Sequence, residues 1–592
     1  MTWEIGFVLF VVMMMMIALL FELARPYLIV LMALAVLLFA GIVTPEEALK
    51  GFSNEGMLTI ALLFIISGTI QKSGIAERLI RRVLSTSRSD RGMLAKILLP
   101  VSSISAFVNN TPIVVTFTPI LRQWCADQGV SPSKFLIPLS YATILGGTIT
   151  LIGTSTNLVV HGLLIEEEGR GFIFFQLAVV GIPITLAGLF YILLVGYKLL
   201  PNYKMLTETV QEQSREYLSE MIVEPDYPFV NQMVKDAGLR KLKGLFLLEI
   251  IRGDEKISPV KGTTTIKSGD RLIFTGMIST IAELQRMKGL RLETGSGLTL
   301  DQLKNGNTQL VEAVVSAQSS LVYKKLKDTE FRAKFDAGVI AVHRNSERIK
   351  SKIGDIVLKP GDILLLLAGA DFEKRSAGTN DFYVVTPLET PAILENQKKG
   401  WIAIAALLAM ILFVVFQGMS MFKAMSFVVV LLFLFKLVTP EEAKRYIQFH
   451  VLLLIAGSLG IGAALIKTGA AEWVAEGLVS LVGSLGILAM LMVVYLLTNL
   501  FTEVITNSAA AVMMFPIGIE VAGQIGLEPV AMAVIIAIAA SASFVTPIGY
   551  QTNLIVYGPG GYRFTDYVKI GLPLSVLVMV ITVLIVYVVW MA

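Results

Sequence analysis

Val43-Thr44-Pro45-Glu46-Glu47-Ala48 returns as Val438-Thr439-Pro440-Glu441-Glu442-Ala443, and Lys72-Ser73-Gly74-Ile75-Ala76-Glu77 returns as Lys467-Thr468-Gly469-Ala470-Ala471-Glu472, both displaced by 395 residues. Two separate matches at one spacing mark a duplicated chain. Further on, Asn110-Thr111-Pro112 with Pro119-Ile120 is answered by Asn507-Ser508-Ala509 with Pro516-Ile517, and Gly153-Thr154-Ser155-Thr156-Asn157-Leu158 by Gly549-Tyr550-Gln551-Thr552-Asn553-Leu554. A hydrophobic chain whose halves carry polar, Gly/Pro-broken segments at corresponding places has the sequence signature of a secondary transporter.

Composition agrees. Of 592 residues, 55% are hydrophobic and 16% charged, against roughly 25% charged in a soluble domain; mean hydropathy is +0.73. This is the make-up of a multi-span membrane protein. The single cysteine, Cys125, excludes an internal disulfide and a cysteine metal site, and His161, His343 and His450 lack ligand spacing. No plausible nucleophile and base pair points to an enzyme, and nothing points to a nucleic acid partner. The apolar start, Ile5 to Phe21, has no basic leader region and no small-residue cleavage site, and it has a counterpart in the second half. It reads as a retained helix.

Apolar runs long enough to cross about 30 Å of hydrocarbon lie near 5–22, 27–43, 55–71, 134–163 and 174–199, and again near 401–417, 424–437, 449–466, 527–558 and 568–590. Between the third and fourth run of each half lies a stretch, about 93–123 and about 484–521, that is apolar at both ends and polar in the middle. Unpaired backbone at membrane depth survives only where protein or water satisfies it, so these stretches read as re-entrant hairpins. The fold expected is an α-helical polytopic membrane protein: an inverted repeat of five spans plus one re-entrant hairpin each, with a central cytoplasmic α+β insert. Inversion follows from the odd number of spans. The charges agree: the first-half loop carries Lys72, Arg78, Arg81, Arg82, Arg88, Arg91 and Lys96, whereas its counterpart carries Lys467 with Glu472 and Glu476. Both termini are then external.

Of the 49 Lys and Arg residues, 29 lie between Lys204 and Lys399, the polar middle that contains the insert, residues 203–397. It contains its own duplication: Ile266-Lys267-Ser268-Gly269-Asp270-Arg271-Leu272-Ile273-Phe274 recurs as Leu358-Lys359-Pro360-Gly361-Asp362-Ile363-Leu364-Leu365-Leu366. Each copy is a Gly-Asp turn before an apolar strand. Further strands are expected at Gly244–Ile251 and Gly338–Val342, and helices near 228–238 and 319–328. The chain divides into membrane half 1 (1–202), two small modules (203–290 and 291–397) and membrane half 2 (398–592). The modules resemble the C-terminal module of RCK potassium-transport regulators (the TrkA-C type), which pairs with itself and often binds a small ligand. No Gly-x-Gly-x-x-Gly follows a strand, so the Rossmann half of those regulators is missing from the pattern.

The candidate site is the set of four polar breaks. Helix ends inside the bilayer expose N–H groups that attract anions, while unwound carbonyls and Asn, Ser and Thr oxygens suit a dehydrated Na⁺. Asn, Ser and Thr also join membrane helices without any ligand, but that role does not demand symmetry between halves. Glu503 is either a proton site or a carboxylate facing solvent or a backbone N–H.

The paired hairpin tips and the Gly-x-x-Thr-Asn breaks at 153–157 and 549–553 resemble the divalent anion/sodium symporter family over both membrane halves. The resemblance implies one sodium ion around Ser105, Asn109, Asn110 and the Gly153 carbonyl. A second would lie around Thr502, the Ile505 carbonyl, Asn507 and the Gly549 carbonyl. Asn110, Thr111, Asn507 and Ser508 would contact the anion. It further implies a homodimer in the inner (plasma) membrane, working by an elevator motion. The sequence departs from the family where Ser-Asn-Thr is usual at the tips: Asn109 and Thr506 replace the Ser, and Ser508 replaces the last Thr. Ser155-Thr156 and Gln551-Thr552 stand where Pro-Pro is common. The added hydroxyls suit a tetrahedral oxyanion, and the RCK-type insert fits the sulfate branch better than the dicarboxylate branch. Sodium-coupled sulfate import is therefore expected, with a regulatory small ligand on the insert. A sodium/dicarboxylate symporter or exchanger, a proton-coupled anion permease and an RCK-regulated ion channel are the competing readings. The channel lacks a filter sequence of the Thr-Val-Gly-Tyr-Gly kind.

Overall fold

The computed structural model describes residues 2–591 apart from 73–89, 204–217, 277–287, 293–307 and 387–396, and from short breaks at 22, 238, 240–244, 254, 258–259, 317–318, 345–346, 350–352, 370, 377–378, 380 and 418. Arg78, Arg81, Arg82 and Arg88 of the expected basic loop lie outside the described residues.

The repeated Thr-Pro-Glu-Glu motif builds the same structure twice. Thr44 and Thr439 are N-caps of the short helices Pro45–Leu49 and Pro440–Tyr446. Each hydroxyl accepts the N–H of the Glu three residues on (3.2 and 3.3 Å), and that carboxylate accepts the Thr N–H (2.7 and 2.9 Å). Reciprocal capping requires this spacing, and Pro fits the first helical position because its missing N–H would be an orphan there.

Around these landmarks the two halves share one element order. The first half runs Trp3–Leu20, Pro26–Phe39, the capping-box helix, Glu55–Lys72, Asp90–Ser105, Asn110–Gln128, Leu136–Gly147, Ser155–Glu168 and then 178–199. The second runs Gln397–Gln417, Met421–Leu434, its capping-box helix, Phe449–Lys467, Ile487–Val504, Asn507–Ile525, Pro529–Ser541, Gln551–Tyr557 and Phe564–Met591, with Ala470–Val482 after its fourth helix. Among the described residues six helices are long and apolar enough to cross a membrane. The runs near 27–43 and 424–437 form helices of only 14 residues, because the backbone turns left-handed at Gly41 (φ 72°) and Lys436 (φ 50°). The single run at 134–163 is two helices parted at 148–154. Cross-half packing ties the body together: Pro26–Phe39 packs on Phe449–Lys467, and Met421–Leu434 on Glu55–Lys72.

The insert contains two five-stranded antiparallel sheets. In the first, β1 (Leu218–Val223), β2 (Leu245–Arg252), β3 (Glu255–Ile257), β4 (Arg271–Gly276) and β5 (Leu290–Leu292) lie in the order β3-β2-β4-β1-β5. In the second, β6 (Thr308–Val315), β7 (Ala337–Arg344), β8 (Glu347–Arg348), β9 (Ile363–Gly369) and β10 (Phe382–Thr386) lie in the order β10-β6-β9-β7-β8. Read from the other end, that is the same topology. The Gly-Asp turns show why the motif repeats: Gly269 and Gly361 take φ of 85° and 82°, which glycine adopts without a Cβ clash. Asp270 and Asp362 each accept two bonds from an arginine, Arg252 and Arg344, at 2.7–2.8 Å, and one from the backbone N–H of Lys267 or Lys359. The helices expected near 228–238 and 319–328 are instead mainly turns, ending at 326–329 in a 3-10 turn. They are pinned by the bridges Met233–Thr265 and Lys325–Val357; ladder bonds to a neighbouring segment outweigh weak helix propensity.

Candidate functional site

Ser105 ends the helix Asp90–Ser105, and Asn110 begins the next one. Across that tip the Ser105 hydroxyl is 2.5 Å from Asn110 Oδ1 and 2.8 Å from the Thr143 carbonyl. In the second half Thr502 Oγ1 is 2.9 Å from Asn507 Oδ1 and 2.6 Å from the Ala540 carbonyl. Each tip thus gathers a hydroxyl, an amide oxygen and a backbone carbonyl, all uncharged; the first set is buried, and in the second Asn507 is half-buried. The helices that start at Asn110 and Asn507 have N-caps, Asn109 and Thr506, whose side chains make no cap bond. Their first N–H groups are orphans that a ligand can satisfy.

The broken helices match equally. Asn157 Nδ2 donates to the carbonyls of Gly147 (3.1 Å) and Thr150 (2.9 Å), and Asn553 Nδ2 to those of Ser543 (2.9 Å) and Thr546 (3.1 Å). Thr150 Oγ1 donates to the Ala106 carbonyl, and Thr546 Oγ1 to the Glu503 carbonyl at 2.9 Å. Unwound backbone inside the body is held by these amides, as burial of a peptide group requires. Gly153 and Gly549 lie where no side chain fits: a Cβ on Gly549 would stand 2.7 Å from the Thr502 carbonyl oxygen, and one on Gly153 would overlap the Gly147 carbonyl. Gly549 therefore abuts the second tip, while Gly153 packs against Gly147 at the end of the preceding helix. Glu503 takes the N–H groups of Val545 and Thr546 at 2.8 Å each, so its carboxylate meets backbone N–H groups.

The halves also meet one another. Asn110 Nδ2 donates to the Tyr550 hydroxyl (2.7 Å), Thr111 Oγ1 to Gln551 Oε1 (3.2 Å), and Ser140 Oγ to Asn553 Oδ1 (2.7 Å). Asn109 and Thr111 line a cavity of about 450 Å³ together with Gln551. Arg445 and Tyr446, from the second capping-box helix, form another side of it. Asn507 and Ser508 do not line this cavity; Ser508 is buried in the body. The two tips are thus equivalent in bonding, and the first of them borders this cavity. Tyr550, Gln551, Ser140 and Arg445 were missed as site residues; Gln551 carried a signal, standing where the family's Pro-Pro is common.

The profile of the CitMHS family, described as "Citrate transporter", matches residues 10–539. An uncharacterized transporter of Synechocystis sp. is 34% identical over 569 residues, covering 94% of this chain and 92% of its own. A protein of Chlamydomonas reinhardtii named sodium/sulfate cotransporter 2 is 25% identical, covering 91% and 84%. One from Staphylococcus saprophyticus, named sodium-dependent dicarboxylate transporter SdcS, is 30% identical over 169 residues, covering 27% and 32%. The duplicated helical body and these similarities agree: the chain is a multi-pass membrane protein that belongs to the CitMHS citrate transporter family, a family of transporters and not of enzymes.

Proposed function

We propose that the protein is a sodium-coupled secondary transporter that imports a small divalent anion, sulfate in preference to succinate-like dicarboxylates. The observation that carries this reading is the matched pair of oxygen clusters, Ser105–Asn110–Thr143 O and Thr502–Asn507–Ala540 O. Neutral hard oxygens suit Na⁺, and the uncapped helix starts beside them suit an oxyanion, so cation and anion support each other without a buried Lys or Arg. Two Na⁺ ions travel as cargo. One is held by Ser105, Asn109, Asn110 and the Gly153 carbonyl, the other by Thr502, the Ile505 carbonyl, Asn507 and the Gly549 carbonyl. Asn110, Thr111, Asn507 and Ser508 hold the anion. The sodium/sulfate cotransporter named above supports the anion class.

In this reading the halves are inverted, five spans and one re-entrant hairpin each. Residues 203–397 are cytoplasmic and both termini external, in the inner (plasma) membrane. The units 1–202, 203–290, 291–397 and 398–592 fold as named above, and a homodimer moves hairpins and broken helices past a fixed scaffold. The TrkA-C-like modules adjust transport on binding a small ligand. The deciding measurement is radiolabelled sulfate uptake into proteoliposomes with and without an inward Na⁺ gradient, with succinate as competitor. Sodium-dependent uptake that succinate leaves intact is expected. Uptake of succinate and not sulfate would defeat the sulfate assignment, and uptake indifferent to Na⁺ would defeat the coupling.

A further inference from the structure

We propose that the insert is part of the anion site: Tyr383, on the edge strand β10, is a positioning residue that holds Gln551 and, through it, Thr111. The proposal rests on the reading of the first hairpin tip as an anion contact. Gln551 Nε2 donates to the Tyr383 hydroxyl at 2.9 Å, while Gln551 Oε1 accepts from Thr111 Oγ1 at 3.2 Å. A primary amide tied at both its nitrogen and its oxygen has one orientation. Freed at the nitrogen, it can turn over and present N–H to Thr111 in place of the carbonyl.

The sheet that carries Tyr383 is fixed to the membrane body at several points. Glu312, on the neighbouring β6, pairs with Arg122 of the helix Asn110–Gln128 at 2.8 Å, with both side chains almost fully buried. Val314 of β6 belongs to the body's apolar core, and Tyr383 packs against that core. The Gly361 turn of the insert lies against Leu554, one turn beyond Gln551. The insert therefore grips both the first hairpin and the second broken helix, the two elements joined by the Thr111–Gln551 bond. Ser316, Thr379 and Tyr383 also form one wall of the cavity that Asn109 and Thr111 line. An anion reaching the first tip through this cavity passes Tyr383, and the Tyr383 hydroxyl is the insert's hydrogen bond to the Gln551 amide.

Tyr383→Phe removes that hydroxyl and keeps the ring. The expected result in proteoliposomes is a rise in the apparent KM for the transported anion of about five- to tenfold, with the maximal rate within about twofold. Gln551→Ala should raise KM to a similar extent, and the double variant no further, because both changes cut one chain. A KM within about twofold of the unmodified protein, or additive effects, overturns the proposal; a merely structural role would lower yield and rate together. A second readout needs no anion. With Cys125→Ser as background, Val115→Cys places a thiol in the same cavity, and adding Tyr383→Ala should speed its alkylation by a hydrophilic maleimide at least about fivefold. An unchanged alkylation rate overturns the wall. Should the unmodified protein move neither sulfate nor succinate, the functional reading fails, while the thiol measurement still decides whether Tyr383 walls the cavity.

Discussion

The Asn110 and Asn507 side chains are the residues on which the proposed site turns. Each amide oxygen is shared with a hydroxyl that also reaches a backbone carbonyl, and a truncation to Ala removes that acceptor outright. Asn110→Ala and Asn507→Ala are each expected to lower sodium-driven uptake at least about 100-fold. The cost in stability should be about 1 kcal/mol, the worth of an ordinary hydrogen bond. Uptake at the unmodified rate in either variant would remove the site assignment. Glu503 makes a different prediction. Its carboxylate takes two backbone N–H groups, of which a Gln side chain can accept only one, so Glu503→Gln should destabilise the protein by about 1–3 kcal/mol yet leave uptake dependent on Na⁺. Loss of Na⁺ dependence, or a new dependence on a proton gradient, would favour the proton-coupled reading.

Two junctions between elements carry the most strain if altered. A methyl group at Gly549 would stand 2.7 Å from the Thr502 carbonyl oxygen and 3.0 Å from Glu503 Cα, contacts that only a shift of backbone relieves. Gly549→Ala is therefore expected to abolish uptake and to lower the thermal midpoint, read together from one purified sample. The other junction is the Arg122–Glu312 pair between hairpin helix and β6, with side chains 7% and 3% exposed. Removing one partner strands a buried charge, so Arg122→Met should cost about 3–5 kcal/mol, whereas Arg122→Met with Glu312→Leu should recover most of it. A thermal-unfolding series on the single and double variants checks the ordering. The helix break at each tip was legible in sequence because a polar centre lies between apolar ends. The ion pair was not, since its members stand 190 positions apart and neither periodicity nor motif links them.

At the scale of the whole molecule, the insert adds a pH dependence of its own. Glu249, fully buried in β2, has its carboxyl pushed from 4.5 up to about 6 by loss of solvent, with Lys256 opposing. A raised carboxyl pKa means that the folded insert binds the proton more tightly than the unfolded chain. The resulting stabilisation is complete below pH 4.5, fades between 4.5 and 6 and is lost above it; its size is on the order of 2 kcal/mol. Thermal unfolding should accordingly show Glu249→Gln more stable than the unmodified protein at pH 7.5 and no more stable at pH 4.5. Equal midpoints at both values would show that Glu249 is hydrated. By itself the sequence determined the duplication, the capping boxes at Thr44 and Thr439, the Gly-Asp turns at 269–270 and 361–362 and the four polar breaks. These are local patterns, written in neighbours a few residues apart. Only the tertiary structure decided that Asn110 meets Tyr550 and Thr111 meets Gln551 across 440 positions, that Tyr383 of the insert reaches the same amide, and that the first tip opens to a cavity lined by both halves and the insert. Such contacts depend on how whole elements pack, and packing is set by the summed shape of many side chains, which no short stretch of sequence records.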